Sequence, residues 1–159
     1  MCPPSIVGFN VLDPGGSGLG AIWRAVEEEA AFGSRGHFDI LAEVCGTAPR
    51  EISFVGGPSR GTLWPQIVAD VLGVTVKVPP VLEATCFGAA LCALVGAGTY
   101  KDLDEAVAAT ARTPRIFDPI PEHHTVYDEA YPRWRAMYDH LLQAAEAGLA
   151  PYLWKGAGA

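Results

Sequence analysis

Basic residues are scarce in this chain: 11 Lys and Arg stand against 18 Asp and Glu, for a net charge of −7. Neutralising a nucleic-acid backbone takes clusters of Lys and Arg, and there are none, which argues against nonspecific nucleic-acid binding. Long apolar runs are also missing, and the apolar stretches are too short and too interrupted to span a bilayer. Cysteine is limited to Cys2, Cys45, Cys86 and Cys92, with no C-x-x-C pair. A zinc site needs tighter ligand spacing. In helical, apolar surroundings Cys45, Cys86 and Cys92 read as small buried hydrophobes in a reducing compartment. Met1-Cys2-Pro3-Pro4 has neither a basic n-region nor an apolar h-region, so a soluble cytoplasmic protein is expected. No Ser–His–Asp or paired-carboxylate arrangement can be argued from spacing alone.

What is present is ample apolar material. Half of the 159 residues are hydrophobic and 18% are charged, which suits one globular domain with a real core. Ile6-Val7-Gly8-Phe9-Asn10-Val11-Leu12 reads as a short strand and Asp13 to Gly18 as a loop. From about Leu19 to Val44 the pattern is helical. Ile22, Val26, Ala30, Gly33, His37, Ile40 or Leu41, and Val44 share the expected core face; Arg24, Glu27, Glu28, Arg35 and Glu43 share the other. Gly46 and Pro49 end the helix.

Ile52 to Val55 is a continuous apolar run, as expected of a strand buried on both faces. It stops at Gly56-Gly57. After Pro58-Ser59-Arg60-Gly61-Thr62, a helix begins that places Leu63, Trp64, Ile67, Val68, Val71 and Leu72 on one side and ends at Gly73. Val74 to Val78 is a β-branched strand closed by Pro79-Pro80. A helix rich in small residues runs from Glu83 to about Gly96, and a shorter one from Asp102 to Ala111, its acidic start complementing the helix dipole. Arg115 to His124 is irregular and proline-punctuated. A last helix from about Thr125 to Gly148 carries Tyr131, Trp134, Tyr138, Leu141, Leu142 and Ala145 along one stripe. Strands and helices in this order predict an α/β layered architecture with a small sheet and several helices. Three strands are few for so many helices, and the chain reads as beginning in the middle of a domain.

The junction at Gly56 and Gly57 carries the chemistry. A strand, a tight glycine loop and a helix N-terminus point backbone N–H groups and the positive end of a helix dipole at one spot, where a phosphate is the natural ligand. Glycines let that ligand approach the backbone. A plain turn is the competing interpretation, since glycine pairs after strands are common. Position favours the ligand: the carboxyl end of a buried strand is where α/β proteins bind. Thr62 is a candidate helix cap, and Arg60 either reaches the phosphate or is solvated. Gly16-Ser17-Gly18-Leu19-Gly20-Ala21 matches a dinucleotide fingerprint, but the following helix is too long for the first crossover and Asp39 lies within a helix pattern instead of ending a second strand. A nicotinamide enzyme built on Gly16 and Gly18 is therefore discounted. His123-His124 resembles half a metal site. Adjacent residues point apart and no partner sits at helical spacing, so a solvated loop is the plainer interpretation. Asp118 and Glu122 beside them suit a surface network.

The stretch from Phe54-Val55-Gly56-Gly57-Pro58-Ser59-Arg60-Gly61-Thr62-Leu63-Trp64 through Gln66, Ala69-Asp70-Val71-Leu72-Gly73, Val76-Lys77-Val78-Pro79 and Glu83-Ala84-Thr85-Cys86-Phe87-Gly88-Ala89-Ala90 resembles the C-terminal domain of the FGGY carbohydrate kinases. The resemblance is collinear and covers nearly all of 1–159. It implies part of an actin-like ATPase (ribonuclease H-like) domain, incomplete at its N-terminal side. It also implies a loop near the ATP phosphates formed by Gly56 and Gly57, with Ser59, Arg60 and Gly61 beside it. Many relatives carry Ser or Asn at the place of Gly61, which keeps the N–H and lacks the side chain. The implied whole enzyme uses ATP and Mg²⁺ to phosphorylate a hydroxyl of a small sugar-like substrate. The implied first phosphate loop, sugar-binding lobe and catalytic aspartate lie upstream, so no catalytic residue and no metal ligand is expected here and the chain alone is expected to be inactive. The alternative is a stand-alone, non-catalytic module that binds nucleotide or a partner and self-associates as a homo-oligomer through an exposed apolar face.

Overall fold

The computed structural model describes residues 5–7, 10, 12–13, 18–81 and 83–149. Helix α1 spans Leu19–Cys45, strand β1 Glu51–Ser53, helix α2 Leu63–Leu72, strand β2 Thr75–Val78, helix α3 Ala84–Gly96, helix α4 Leu103–Thr110, strand β3 Arg115–Phe117 and helix α5 Pro121–Glu146. A single 3₁₀ turn, Gly57–Arg60, sits between β1 and α2.

The strands form one sheet in the order β1-β2-β3. β1 runs parallel to β2, pairing Ile52 with Val76 and Ser53 with Lys77. β3 runs antiparallel to β2, pairing Val76 with Phe117 and Val78 with Arg115. The β1–α2–β2 connection is the crossover that parallel pairing requires. The central strand is β2, and its Val76 and Val78 are buried. β1 is an edge strand among the described residues, with Glu51 and Ser53 exposed, so it is not buried on both faces as its apolar run predicts. A Lys77–Glu51 ion pair at 2.6 Å lies across the pair.

The core is built around α2, whose Pro65, Ile67, Val68, Ala69, Asp70 and Val71 are all buried. It gathers Ala31 and Phe32 of α1, Val76 and Val78 of β2 and Tyr127 of α5. Phe32 is ringed by aromatics, with its centroid 5.8 Å from Tyr127 edge-on, 5.8 Å from Tyr131 and 5.6 Å from Trp134. The aromatic stripe expected on the last helix is therefore the surface that receives α1.

Several expectations are corrected. The face of α1 is only partly the expected one: Ile22, Ala30 and Gly33 are half-buried, but Val26, His37, Ile40, Leu41 and Val44 are exposed, while Arg24, Glu28 and Arg35, expected on the open face, are half-buried. Their long stems and hydrogen-bonded heads suit an interface lined by tyrosines. Arg35 lies over the Tyr131 ring at 4.4 Å and pairs with Asp128 at 2.7 Å. Cys45, Cys86 and Cys92 are exposed, not buried. Two of them lie on α3, whose only buried residue is Leu91 and which packs on α4. The first predicted strand is not formed at Ile6, Val7, Asn10 or Leu12, and residues 8, 9 and 11 lie outside the described ones. In its place Arg115–Phe117 supplies the third strand, and the segment expected to be irregular through His124 already enters α5 at Pro121, a residue preorganised for the first helical turn. Thr62 makes no side-chain capping bond to α2. The acidic start of α4 behaves as expected: Asp102 accepts from the Glu105 N–H at 2.9 Å and Glu105 accepts from the Lys101 N–H at 2.7 Å.

Candidate functional site

The glycine loop leaves the carboxyl end of β1. Gly56 takes φ 87° and ψ −169°, a conformation that side chains other than hydrogen strongly disfavour. It turns the chain out of the strand and into the 3₁₀ turn. The turn is anchored inward by Ser59, which is 2% exposed. Its hydroxyl donates to the Gly56 carbonyl at 2.7 Å and its N–H reaches the same oxygen at 3.1 Å. Gly57 and Gly61 are exposed, and a Cβ added at either would meet nothing within 4 Å. Arg60 is exposed and pairs with Glu83, at the start of α3, at 3.2 Å.

Gly56, Gly57, Ser59, Arg60 and Gly61 thus form one continuous loop, and three further elements converge on it. α2 begins immediately after it. Glu83, reached from the carboxyl end of β2, touches it through Arg60. Arg115 opens β3 opposite Val78, the last residue of β2, and its guanidinium donates through Nη1 to the Gly61 carbonyl at 3.0 Å and through Nη2 to the Ser59 carbonyl. The carboxyl end of a parallel strand pair, with a helix N-terminus and open space beside two glycines, is a surface suited to an anion.

Arg115 escapes sequence reasoning because its strand is three residues long between Pro114 and Pro119. The one available signal was the β-prone pair Ile116-Phe117.

Asp70 is the second group whose role the sequence hides. Its side chain is 2% exposed. Oδ1 accepts from Gln66 Nε2 and from the Ile120 N–H, both at 2.8 Å. Oδ2 faces His123 Nδ1 at 2.9 Å, and the Asp70 carbonyl faces His124 Nδ1 at 2.8 Å. The two histidines are therefore not a solvated loop; they begin α5 and hold it to α2. Asp118 is part of the same seam, accepting from the Thr75 hydroxyl at 2.8 Å, and its carbonyl accepts from Gln66 at 2.8 Å. Among the described residues no group of three or more His, Cys, Asp and Glu side chains is arranged to hold a metal.

A cavity of about 350 Å³ opens between α1 and α5, lined by Arg24, Glu28, Phe32, His123, Val126, Tyr127 and Ala130. No residue of the glycine loop lines it. On its wall Tyr127 donates to Glu28 Oε1 at 2.8 Å and accepts from Arg24 Nη2 at 2.7 Å, while Arg24 Nε reaches Glu28 at 2.7 Å. Burial pushes the Tyr127 phenol above its ordinary value; Glu28 reinforces the shift and Arg24 opposes it.

Residues 6–97 match the family model described as the FGGY family of carbohydrate kinases, C-terminal domain. The chain belongs to that family. It is 40% identical over 155 residues to an autoinducer-2 kinase of Yersinia pestis (strain Pestoides F), a match covering 98% of this chain and 29% of that protein. A xylulose kinase from Rhodospirillum rubrum superposes with a TM-score of 0.66 at 30% identity, over 87% of this chain and 27% of that one. A xyloylose kinase from Brucella ovis does so with a TM-score of 0.65 at 31% identity, over 77% of this chain and 25% of that one. The chain therefore spans less than a third of the length of the relatives it matches. The fold is the actin-like ATPase fold of these sugar kinases, here as a small mixed sheet with helices. Among the described residues no helix is long and apolar enough to cross a membrane.

Proposed function

We propose that this chain is the C-terminal, nucleotide-binding part of an ATP-dependent sugar kinase, incomplete at its N-terminal side. Gly56, Gly57, Ser59, Arg60 and Gly61 surround the ATP phosphates. The observation that carries this assignment is the open space beside Gly57 and Gly61 at the carboxyl end of β1 and β2. Backbone N–H groups there stabilise phosphate charge without reorganising. Arg60, held by an exposed Glu83, is free to exchange that carboxylate for a phosphate.

Phosphoryl transfer needs a positioned acceptor, a base and Mg²⁺. The loop has the form of a phosphate cradle. Among the described residues it offers no carboxylate set for a metal, and the acid that touches it, Glu83, is engaged by Arg60. Mg²⁺ would be held by the nucleotide's own phosphates and the rest of the enzyme, where it would neutralise developing charge. The acceptor site and the catalytic base belong to that remainder, so the chain alone is inactive and has no catalytic residue.

The acceptor of the whole enzyme is the precursor of autoinducer-2, a small sugar-like molecule, which would connect it to quorum sensing in the cytoplasm. The 40% identity to a kinase of that name supports this choice. The solved neighbours favour the alternative, a xylulokinase-like or other FGGY sugar kinase. Phosphorylation assays of the whole enzyme with both acceptors separate the two.

A second possibility is a stand-alone module that binds nucleotide or a partner without catalysis. Trp23, Val26, Ile40, Leu41 and Val44 along α1 are between 51% and 79% exposed, an apolar face suited to homo-oligomers. Sedimentation distinguishes it, since a monomer at high concentration contradicts self-association.

The loop assignment is tested by calorimetric titration with Mg-ATP. Gly61 has φ −74° and open space around its Cβ position, so Gly61→Asp folds normally and puts a negative charge at the phosphates. Its affinity is expected to fall at least about tenfold with an unchanged unfolding midpoint. Equal affinity in the two proteins contradicts the assignment.

A further inference from the structure

We infer that Arg115 is a positioning residue of the glycine loop, clamping it so that its amide side faces the ligand; this rests on the loop being the phosphate site proposed above. A phosphate loop has two requirements beyond exposed N–H groups. Its shape must be fixed before the ligand arrives, because ordering it afterwards subtracts from affinity. Its carbonyl oxygens must also be turned away, because they repel phosphate.

Ser59 meets part of the first requirement from inside the protein, through its two bonds to the Gly56 carbonyl. It leaves the carbonyls of Ser59 and Gly61 to be satisfied, and Arg115 takes both. A guanidinium is a planar fork with parallel donors; here Nη1 holds Gly61 and Nη2 holds Ser59. The two acceptors flank Arg60, so the fork spans the end of the 3₁₀ turn where the chain passes into α2.

The fork is itself well supported. Arg115 pairs with Val78 of the central strand. Residues two apart on a strand share a face, and the guanidinium lies over the Phe117 ring at 5.5 Å. Arg60 answers to Glu83, whereas Arg115 has no carboxylate partner among the described residues, so its charge also favours an anion at the loop. A lysine at this position would supply that charge from one tetrahedral nitrogen, without the guanidinium's two coplanar, parallel donors.

The test measures the loop and the ligand separately. The Ser59 N–H is buried and bonded to Gly56, so its hydrogen exchange reports loop opening. In Arg115→Met its exchange is expected to rise about tenfold, and because the same bonds are lost on global unfolding the urea midpoint is expected to fall by up to about 0.7 M. Mg-ATP affinity is expected to fall about tenfold as well. Arg115→Lys is expected to keep the fast Ser59 exchange, because the charge is present and the fork is gone. Wild-type exchange in Arg115→Met, or its restoration by Arg115→Lys, overturns the clamp even if the wild-type protein binds nucleotide. Failure of the wild-type protein to bind Mg-ATP overturns instead the phosphate site on which the clamp's role depends.

Discussion

Removing the Asp70 carboxylate should destabilise this fold more than any other single deletion of a polar side chain. The carboxylate is nearly sealed from water and receives three donors: Gln66 Nε2, the Ile120 N–H and His123 Nδ1. These come from α2 itself, from the connection after β3 and from α5, so one side chain joins three segments. In Asp70→Ala the Ile120 and Gln66 donors each lose a charge-assisted bond worth about 1.5–3 kcal/mol. Gln66 keeps its bond to the Asp118 carbonyl, and His123, whose side chain is 54% exposed, exchanges its bond for water at little cost. The sum is about 3–6 kcal/mol, a large share of a typical domain's 5–15 kcal/mol. With m near 2 kcal/mol/M, the urea midpoint should fall by about 1.5–3 M. Asp70→Asn keeps an acceptor for Ile120 and Gln66 and turns an amide toward His123, which can accept in one tautomer, so its cost should be nearer 1 kcal/mol. Urea titration followed by the fluorescence of Trp64 and Trp134, both packed against the core, reads the effect. An Asp70→Ala protein that loses no more stability than His123→Ala would show that the buried carboxylate does not hold the three segments together.

Gly73→Ala should cost about 2–3 kcal/mol, because Gly73 has φ 66° and a Cβ there would lie 2.6 Å from His124 Cε1. Made in a His124→Ala background, the same substitution should cost only about 1 kcal/mol, the left-handed backbone term alone. Phe32→Ala should cost about 3–5 kcal/mol by the same urea assay, since the ring is 7% exposed and surrounded by three aromatics. Burial first, then the neighbouring carboxylates, raises the Tyr127 and Tyr131 phenols above their ordinary value of about 10. Above that pH the unfolded chain releases protons that the folded chain keeps, so this contribution is complete below about pH 10 and is lost as pH rises through the folded values. The urea midpoint should fall on the alkaline side, and Tyr127→Phe should remove part of that fall while Tyr131 supplies the rest.

The helices were legible because their stops are local. Gly46 and Gly73 close α1 and α2 with left-handed backbone, and Asp102 caps α4. The loop from Gly56 to Gly61 was legible for the same reason, since a glycine pair after an apolar run needs no distant partner. What escaped depends on partners far along the chain. Arg115–Phe117 is a strand only because β2 pairs with it, and three residues carry no periodicity. The packed face of α1 was misassigned because hydropathy ranks Val26 and Leu41 above Arg24 and Arg35, whereas the tyrosines of α5 accept the arginines. Thr62 sits in the right place to cap α2 but has helical backbone, φ −107° and ψ −29°, not the extended backbone a capping side chain needs. Asp70 has one donor in local sequence, Gln66 four residues before it, and its other two, the Ile120 N–H and His123, come from about fifty residues along the chain.

Whether the Gly56–Gly61 loop is a formed phosphate half-site is decided by an amide-resolved NMR titration of the chain with Mg-ATP. In a formed half-site the amides of Gly56, Gly57 and Gly61 shift together and saturate, while those of α4, remote in sequence from the loop, stay fixed. A well-dispersed spectrum in which none of the three glycines moves would leave the loop a plain turn with no phosphate site.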